Sequence, residues 1–172
     1  VADEASKSIN VSVIAPAAYL REFAGQDPAT VHHVAAQRVL HDPGYRAFFL
    51  EEAALGAMII LDNGVFDLGE SLGPADLVRA ARMVRAAEII LPDVMHDGPA
   101  TMRASDLAAA QILKVTDEFR LCAVVHAAGD EDWRRCYDHF VSSSYAGTIA
   151  FPASRSKEPG ESPRPATSKI AS

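Results

Sequence analysis

Cysteine is scarce in this chain: there are two among 172 residues, Cys122 and Cys136. That is too few for a disulfide framework or a four-ligand zinc site. One falls in an apolar run and the other on the apolar face of a helical segment, so both are expected to be core thiols in a reducing cytoplasm. Long hydrophobic runs are missing as well. None approaches the roughly 20 residues that cross a bilayer, so no membrane span is expected. The first ten residues, VADEASKSIN, hold no basic stretch followed by an apolar one and do not read as a secretory signal. Positive charge is in deficit, with a net charge of −7. A general basic coat for nucleic acid is thereby disfavoured, although a local basic groove is not excluded. Arg79, Arg82 and Arg85 come nearest to a patch, and their helical spacing reads as one solvated helix face.

What the chain does have is apolar residues, 49% of the total, enough for one domain with a real core. They recur as short runs: Val11–Ala15 (VSVIA), Met58–Leu61 (MIIL), Glu88–Leu91 (EIIL), Cys122–Val125 (CAVV) and Thr148–Phe151 (TIAF). Rich in β-branched residues and nearly free of polar ones, these are expected strands covered on both faces. Helical segments lie between them. Pro74 after Gly73 suits a first helical position, with Leu77, Ala80, Ala81 and Val84 as one stripe. Pro99 opens a helix containing Met102, Ala109, Ile112 and Leu113. Asp130 is the expected N-cap of a helix whose Trp133, Cys136, Tyr137, Phe140 and Val141 share a face. The longer stretch 16–56 is expected to hold two helices, with a break near His41-Asp42-Pro43-Gly44.

Strands alternating with helices force parallel pairing and right-handed crossovers. A doubly wound sheet and a TIM-type barrel both satisfy this. A complete eight-stranded barrel takes about 250 residues, so five strands supply about five-eighths of one. The expected fold class is α/β: TIM-barrel-like βα repeats, incomplete, with about five parallel strands and flanking helices. Residues 1–10 read as an N-terminal arm and 11–152 as the partial (βα) barrel domain. Residues 153–172, rich in Ser, Pro, Lys and Glu, read as a disordered tail.

In parallel α/β folds ligands gather where the strands end and the βα loops begin. Three such places carry polar residues: Asp62-Asn63-Gly64, the run Pro92-Asp93-Val94-Met95-His96-Asp97-Gly98, and His126-Ala127-Ala128-Gly129. Singly, each has a plain reading. Asp-Asn-Gly makes a turn, Asp93 and Asp97 make a turn and a helix cap, His96 sits in an exposed loop, and His126 is a bonded core histidine. Their recurrence at equivalent strand ends favours one shared pocket.

The run ILDNGVFDLGE, then a helix, then AAEIILPDVMHDGPAT, resembles the tRNA-guanine transglycosylase superfamily, nearest to phage and bacterial members that act on DNA. Members show a strand ending in Asp-x-Gly followed by an aromatic, then a strand ending in Pro-Asp. The upstream DPGYRAFFLEEAALG also looks like the helix preceding the first of these strands, and the resemblance spans roughly residues 10 to 152. It implies a TIM barrel that exchanges guanine for a 7-deazaguanine in DNA or tRNA, without a cofactor. One carboxylate attacks the sugar and a second handles the proton of the base. By resemblance Asp62 is the general acid/base. Asn63, Gly64 and the aromatic Phe66 line the substrate, and Asp93 reads the base edge. His126 and Gly129 occupy the base-binding loop, and Thr148 to Phe151 floors the pocket.

The departures are definite. The nucleophilic aspartate of a later strand has no counterpart, His126-Ala127-Ala128-Gly129 replaces a Gln-Gly loop, and the zinc site of three cysteines and a histidine is missing. Three expectations follow: inactivity alone, completion of the barrel by a second copy or partner chain, or a different nucleophile. Two other functions compete with base exchange. One is a metal-dependent hydrolase or lyase built on Asp62, Asp93, His96 and Asp97. The other is a non-catalytic accessory subunit whose unpaired fifth strand needs a cover.

Overall fold

The computed structural model describes residue 12, residues 17–23 and residues 31–152. The expected arm 1–10, the expected tail 153–172 and, Ser12 apart, the expected strand Val11–Ala15 lie outside the described residues. Five strands form one sheet: β1 (Val31–Ala35), β2 (Met58–Asp62), β3 (Glu88–Ile90), β4 (Arg120–Val124) and β5 (Ala146–Ala150). Every pairing is parallel and the spatial order is the chain order, β1-β2-β3-β4-β5. The fold is therefore α/β with a singly wound sheet, the order of an arc of barrel wall, and among the described residues the winding does not reverse. Among the described residues no strand joins β5 back to β1.

After the short helix α1 (Leu20–Phe23), the helices are α2 (Ala36–His41), α3 (Pro43–Ala54), α4 (Val65–Leu68), α5 (Pro74–Val84), α6 (Gly98–Leu113) and α7 (Asp130–Ser142). Their starts follow local chemistry. Asp42 accepts a hydrogen bond from the Tyr45 amide (3.0 Å) with Pro43 in the first turn of α3. Asp97 does the same for the Ala100 amide (2.8 Å) at α6. Each carboxylate satisfies one of the free amides of a first turn.

Right-handed crossovers between neighbouring parallel strands send every helix to the same side. The packing agrees. Ile59 and Leu61 of β2 are fully buried with Phe49, Leu77, Val84, Ala108 and Ile112 from three helices. The alternate residues Ile60, Ile90, Cys122, Val124 and Ala150 form a second cluster made of strand residues alone. One face of the sheet is thus covered by helices, and the other, the inner face, carries the strand-only cluster. This inner face carries a polar group at its base: Thr148 Oγ1 donates to Glu88 Oε2 (2.8 Å), and Arg120 Nη1 lies 3.6 Å from the same oxygen. A bulge at Leu121/Cys122 makes Gly147 the extra residue of β5 and sets Thr148 opposite Cys122.

Several sequence expectations need correction. The stretch 16–56 holds a strand as well as helices: β1, the run VHHVA, was not expected because two adjacent histidines interrupt it. His32 is nevertheless buried on the helix side, its Nε2 3.1 Å from Glu52 Oε2 and its ring edge-on to Phe48 and Phe49. A bonded histidine serves there as a core residue. The break at Asp42 is as expected. Gly129, not Asp130, is the N-cap of α7, with no side-chain cap. Leu113, Val141 and Trp133 lie outside the buried stripes of their helices and are exposed. The fifth strand ends at Ala150, leaving Phe151 exposed. Among the described residues no helix is long and apolar enough to cross a membrane.

The two faces of β2 predict unequal mutational costs. Leu61→Ala is expected to lower unfolding free energy by about 2–5 kcal/mol in urea titrations, as for a fully packed leucine. Ile60→Ala, on the partly covered inner face, is expected to cost clearly less. Equal costs would contradict a one-sided helical cover.

Candidate functional site at the carboxyl ends of the strands

β2 leaves the sheet through Asp62, and the next two residues organise the site. Asn63 is buried. Its Nδ2 donates to Leu91 O (2.7 Å) and to Asp93 Oδ1 (2.6 Å), and its Oδ1 accepts from the Val65 amide (2.9 Å). One amide thereby ties the end of β2 to the loop after β3 and starts α4. Gly64 follows with φ +88°, and a Cβ there would stand 3.1 Å from Gln37 Oε1 and 3.2 Å from Leu68 Cδ1. Only glycine takes that left-handed turn without strain in so close a packing.

The loop carrying Asp93 is pinned from below by α6. Thr101 and Ser105 are fully buried. Thr101 Oγ1 bonds both the amide and the carbonyl of Val94 (2.9 Å each), and Ser105 Oγ donates to Pro92 O (2.8 Å). Ser71 Oγ adds longer contacts to the Asp93 amide (3.3 Å) and carbonyl (3.4 Å). Gly98 brings the start of α6 against β4's exit, where a Cβ would meet His126 O at 3.2 Å. These contacts leave Asp93 little freedom.

Asp93 and His126 face each other across β3 and β4. His126 Nε2 lies 3.2 Å from Asp93 Oδ2, with side chains 10% and 2% exposed. The distance is that of an ion pair, but the alignment is not that of a hydrogen bond, and Oδ2 has no hydrogen-bond partner. The His96 ring stands edge-on to His126 at 6.0 Å, with His96 at φ +62°. On the other side, Asp62 Oδ1 is 3.8 Å from His33 Nε2. Among the described residues, buried side-chain atoms without a hydrogen bond are His33 Nε2, Gln37 Oε1 and Asp93 Oδ2. All three lie on or beside the ends of β1, β2 and β3. Such atoms are uncommon in folded proteins and concentrate at functional sites.

Burial dominates the electrostatics. It pushes the Asp93 carboxyl above its ordinary range, opposed by the Asn63 hydrogen bond and His126 and reinforced by Asp62. It also pushes Asp62 up, opposed chiefly by His33 and reinforced by Asp67. His126 is held below the usual histidine value by burial and by His96, against the pull of Asp93. Two neighbouring acids that both resist ionisation, beside an imidazole that resists protonation, are suited to holding and moving protons.

Of the residues expected from sequence, Asp62, Asn63, Gly64, Asp93 and His126 come together. Phe66 does not join them and stands 84% exposed on α4. Gly129 is the exposed N-cap of α7, a backbone role. Asp97 serves as the cap of α6, and the metal reading loses its ligand set: among the described residues no three His, Cys, Asp or Glu side chains gather as a metal site would require. Sequence reasoning missed His33, Gln37, Ser71, Thr101 and Ser105. The adjacent histidines of VHHVA were the one available signal. Neither a protein-family model nor a curated protein matches the sequence.

Two outcomes test this geometry. Gly64→Ala is expected to destabilise by about 1–2 kcal/mol from the left-handed backbone, with more from the Gln37 and Leu68 contacts, read by chemical denaturation. For Asp93 the sign is set by its raised folded value. Its contribution favours the fold below the ordinary 3.8 and is lost as pH rises through the folded value. His126 is the opposite case, its contribution present above 6.5 and lost as pH falls through its depressed value. Asp93→Asn therefore should melt higher than the wild type at pH 8, with the gap narrowing toward pH 4. A lower melting point at pH 8 would mean that the carboxylate is a net stabiliser.

Proposed function

We propose that this chain is a transglycosylase-like protein that recognises guanine or a 7-deazaguanine for base exchange in DNA or tRNA. The observation that carries this reading is the state of Asp93. It is buried, braced by Asn63 through one oxygen, and without a hydrogen bond at the other. Keeping such a carboxylate is costly unless a ligand's donors satisfy it. The ring N–H and exocyclic amine of a guanine-type edge are parallel donors that match a carboxylate. Asp62, a quarter exposed at the neighbouring strand end, is placed to give and take the proton of a departing and an arriving base.

The resemblance in ILDNGVFDLGE and LPDVMHDG supports the same assignment, with Asp62 as acid/base and Asp93 as base reader. The nucleophile is the missing part. Asp67, the further acid that bears on Asp62, is exposed and held by Gln37 Nε2 (2.7 Å). Base recognition therefore stands on firmer ground than catalysis by this chain alone. Completion by a second copy or a partner chain along the edge of β5, which pairs with β4 alone among the described residues, is the form in which a further carboxylate would arrive.

Binding and catalysis separate experimentally. Guanine or 7-deazaguanine is expected to raise the melting temperature of the wild type, and Asp93→Ala to abolish the rise. If no such base shifts the wild type, base recognition is wrong. Incorporation of labelled guanine into DNA or tRNA tests exchange, and Asp62→Asn is expected to slow it by about 10²-fold or more.

A further inference from the structure

One titratable side chain at the site has no role in this scheme. His33 lies on β1 at the same alternation as Ala35, whose register partner is Asp62, so the imidazole and the carboxylate share the inner face. Nε2 is 3.8 Å from Asp62 Oδ1, close enough for charge attraction but too long for a hydrogen bond. That nitrogen is itself buried and has no hydrogen-bond partner, although the side chain as a whole is 37% exposed. Its backbone is anchored, since the His33 amide donates to Ser12 Oγ (2.7 Å) and the Ala35 amide to Tyr45 Oη (3.1 Å).

We infer that His33 is a positioning residue for Asp62: its imidazole holds the Asp62 carboxyl at the strand end and exchanges a proton with it. This rests on the base-exchange reading of the site. Closing the gap by about 1 Å, within the reach of a carboxylate rotamer, makes an N–H···O bond of ordinary length. Asp62 is met from every side by groups of known sign. Asp67 comes from α4, Asp93 from the loop after β3, and the Tyr45 hydroxyl from α3. None of these three favours ionised Asp62; the backbone amides of Asn63 and Gly64 do, and so, more strongly, does His33, the side chain among them that can carry a proton. When Asp62 gives its proton to a departing base, an imidazolium at His33 replaces it from Nε2 and becomes the neutral imidazole. When the arriving base delivers a proton to Asp62, the imidazole takes one back. The cycle leaves both groups as they began and needs no other proton carrier.

The neighbouring histidine supplies a contrast. His32 points to the helix side, where Glu52 and two phenylalanines enclose it. Its loss would be a matter of folding rather than of the site.

The test uses the full chain with His33→Gln and His33→Asn. The Gln amide reaches to about where Nε2 lies and donates a hydrogen bond, but it does not titrate. The Asp62 carboxyl is followed by carbon NMR across pH, and exchange of labelled guanine is followed as kcat and KM. The midpoint of Asp62 is expected to move up in both variants, with kcat lowered about tenfold or more and KM for the base unchanged. An Asp62 midpoint that does not move in a folded variant overturns the inference. So does a Gln variant with the wild-type kcat and pH profile, which would show a merely structural hydrogen bond. If the wild type neither binds nor exchanges a base, the base-exchange reading fails on its own, and the Asp62 titration still decides whether His33 and Asp62 are coupled.

Discussion

The side chain of Asn63 is the joint on which the site depends. It lies in the gap where β2 and β3 end, and every hydrogen bond it makes connects something different: the last carbonyl region of β3, the Asp93 carboxylate and the first turn of α4. An amide suits the place because it donates twice and accepts once within one rigid plane. Aspartate would set a second buried charge against Asp93, and an apolar residue would strand a carbonyl and a carboxylate. Asp62 on one side and the left-handed Gly64 on the other take their positions from this short run of three residues.

Around that joint the sheet divides its labour between two faces. The helix side is apolar and closed, with Ile59, Leu61, Ile89 and Leu121 at or near zero exposure. The inner face is mixed. Glu88, Arg120 and Thr148 meet at its base, and His33, Asp62 and His126 stand at its rim. Between them Cys122 lies beside Glu88, its thiol pushed up to about 12 by burial and by that carboxylate. A thiol so placed is inert packing rather than a nucleophile. The candidate site is therefore at the rim, where the carboxyl ends of the strands leave side chains partly open.

The rim carries an electrostatic tension that an ordinary core would not retain. Asp62 makes Asp93 harder to ionise and Asp67 does the same to Asp62, and each of the two acids has an imidazole to relieve it: His33 for Asp62 and His126 for Asp93. Burial costs are tolerated at binding sites because a ligand or a transferred proton can repay them. The two acids differ in how firmly they are held. Asp93 is enclosed and braced by Asn63, with Thr101, Ser105 and Ser71 pinning its loop, which suits the proposed role of recognising a base. Asp62 is quarter-exposed and longer-tethered, which suits the proposed role of moving a proton.

The sequence by itself determined the repeating βα pattern, the parallel sheet, four of its five strands to within two residues, and Asp62, Asn63, Asp93 and His126 as polar residues at strand ends. Each of these is local: an apolar run, a proline in a first helical turn or an acid after a strand carries its own signal. Tertiary structure decided what depends on distant partners. VHHVA is a strand because Glu52, twenty residues away, satisfies His32. Leu113, Val141 and Trp133 are exposed because neighbouring elements leave them uncovered. Phe66, an aromatic at the place where the pattern calls for one, stands in the open. His33 joined the site only when β1 paired with β2 and brought it to Asp62. Charge and hydrogen-bond satisfaction depend on which groups meet in space, and a linear pattern of residue types does not contain that.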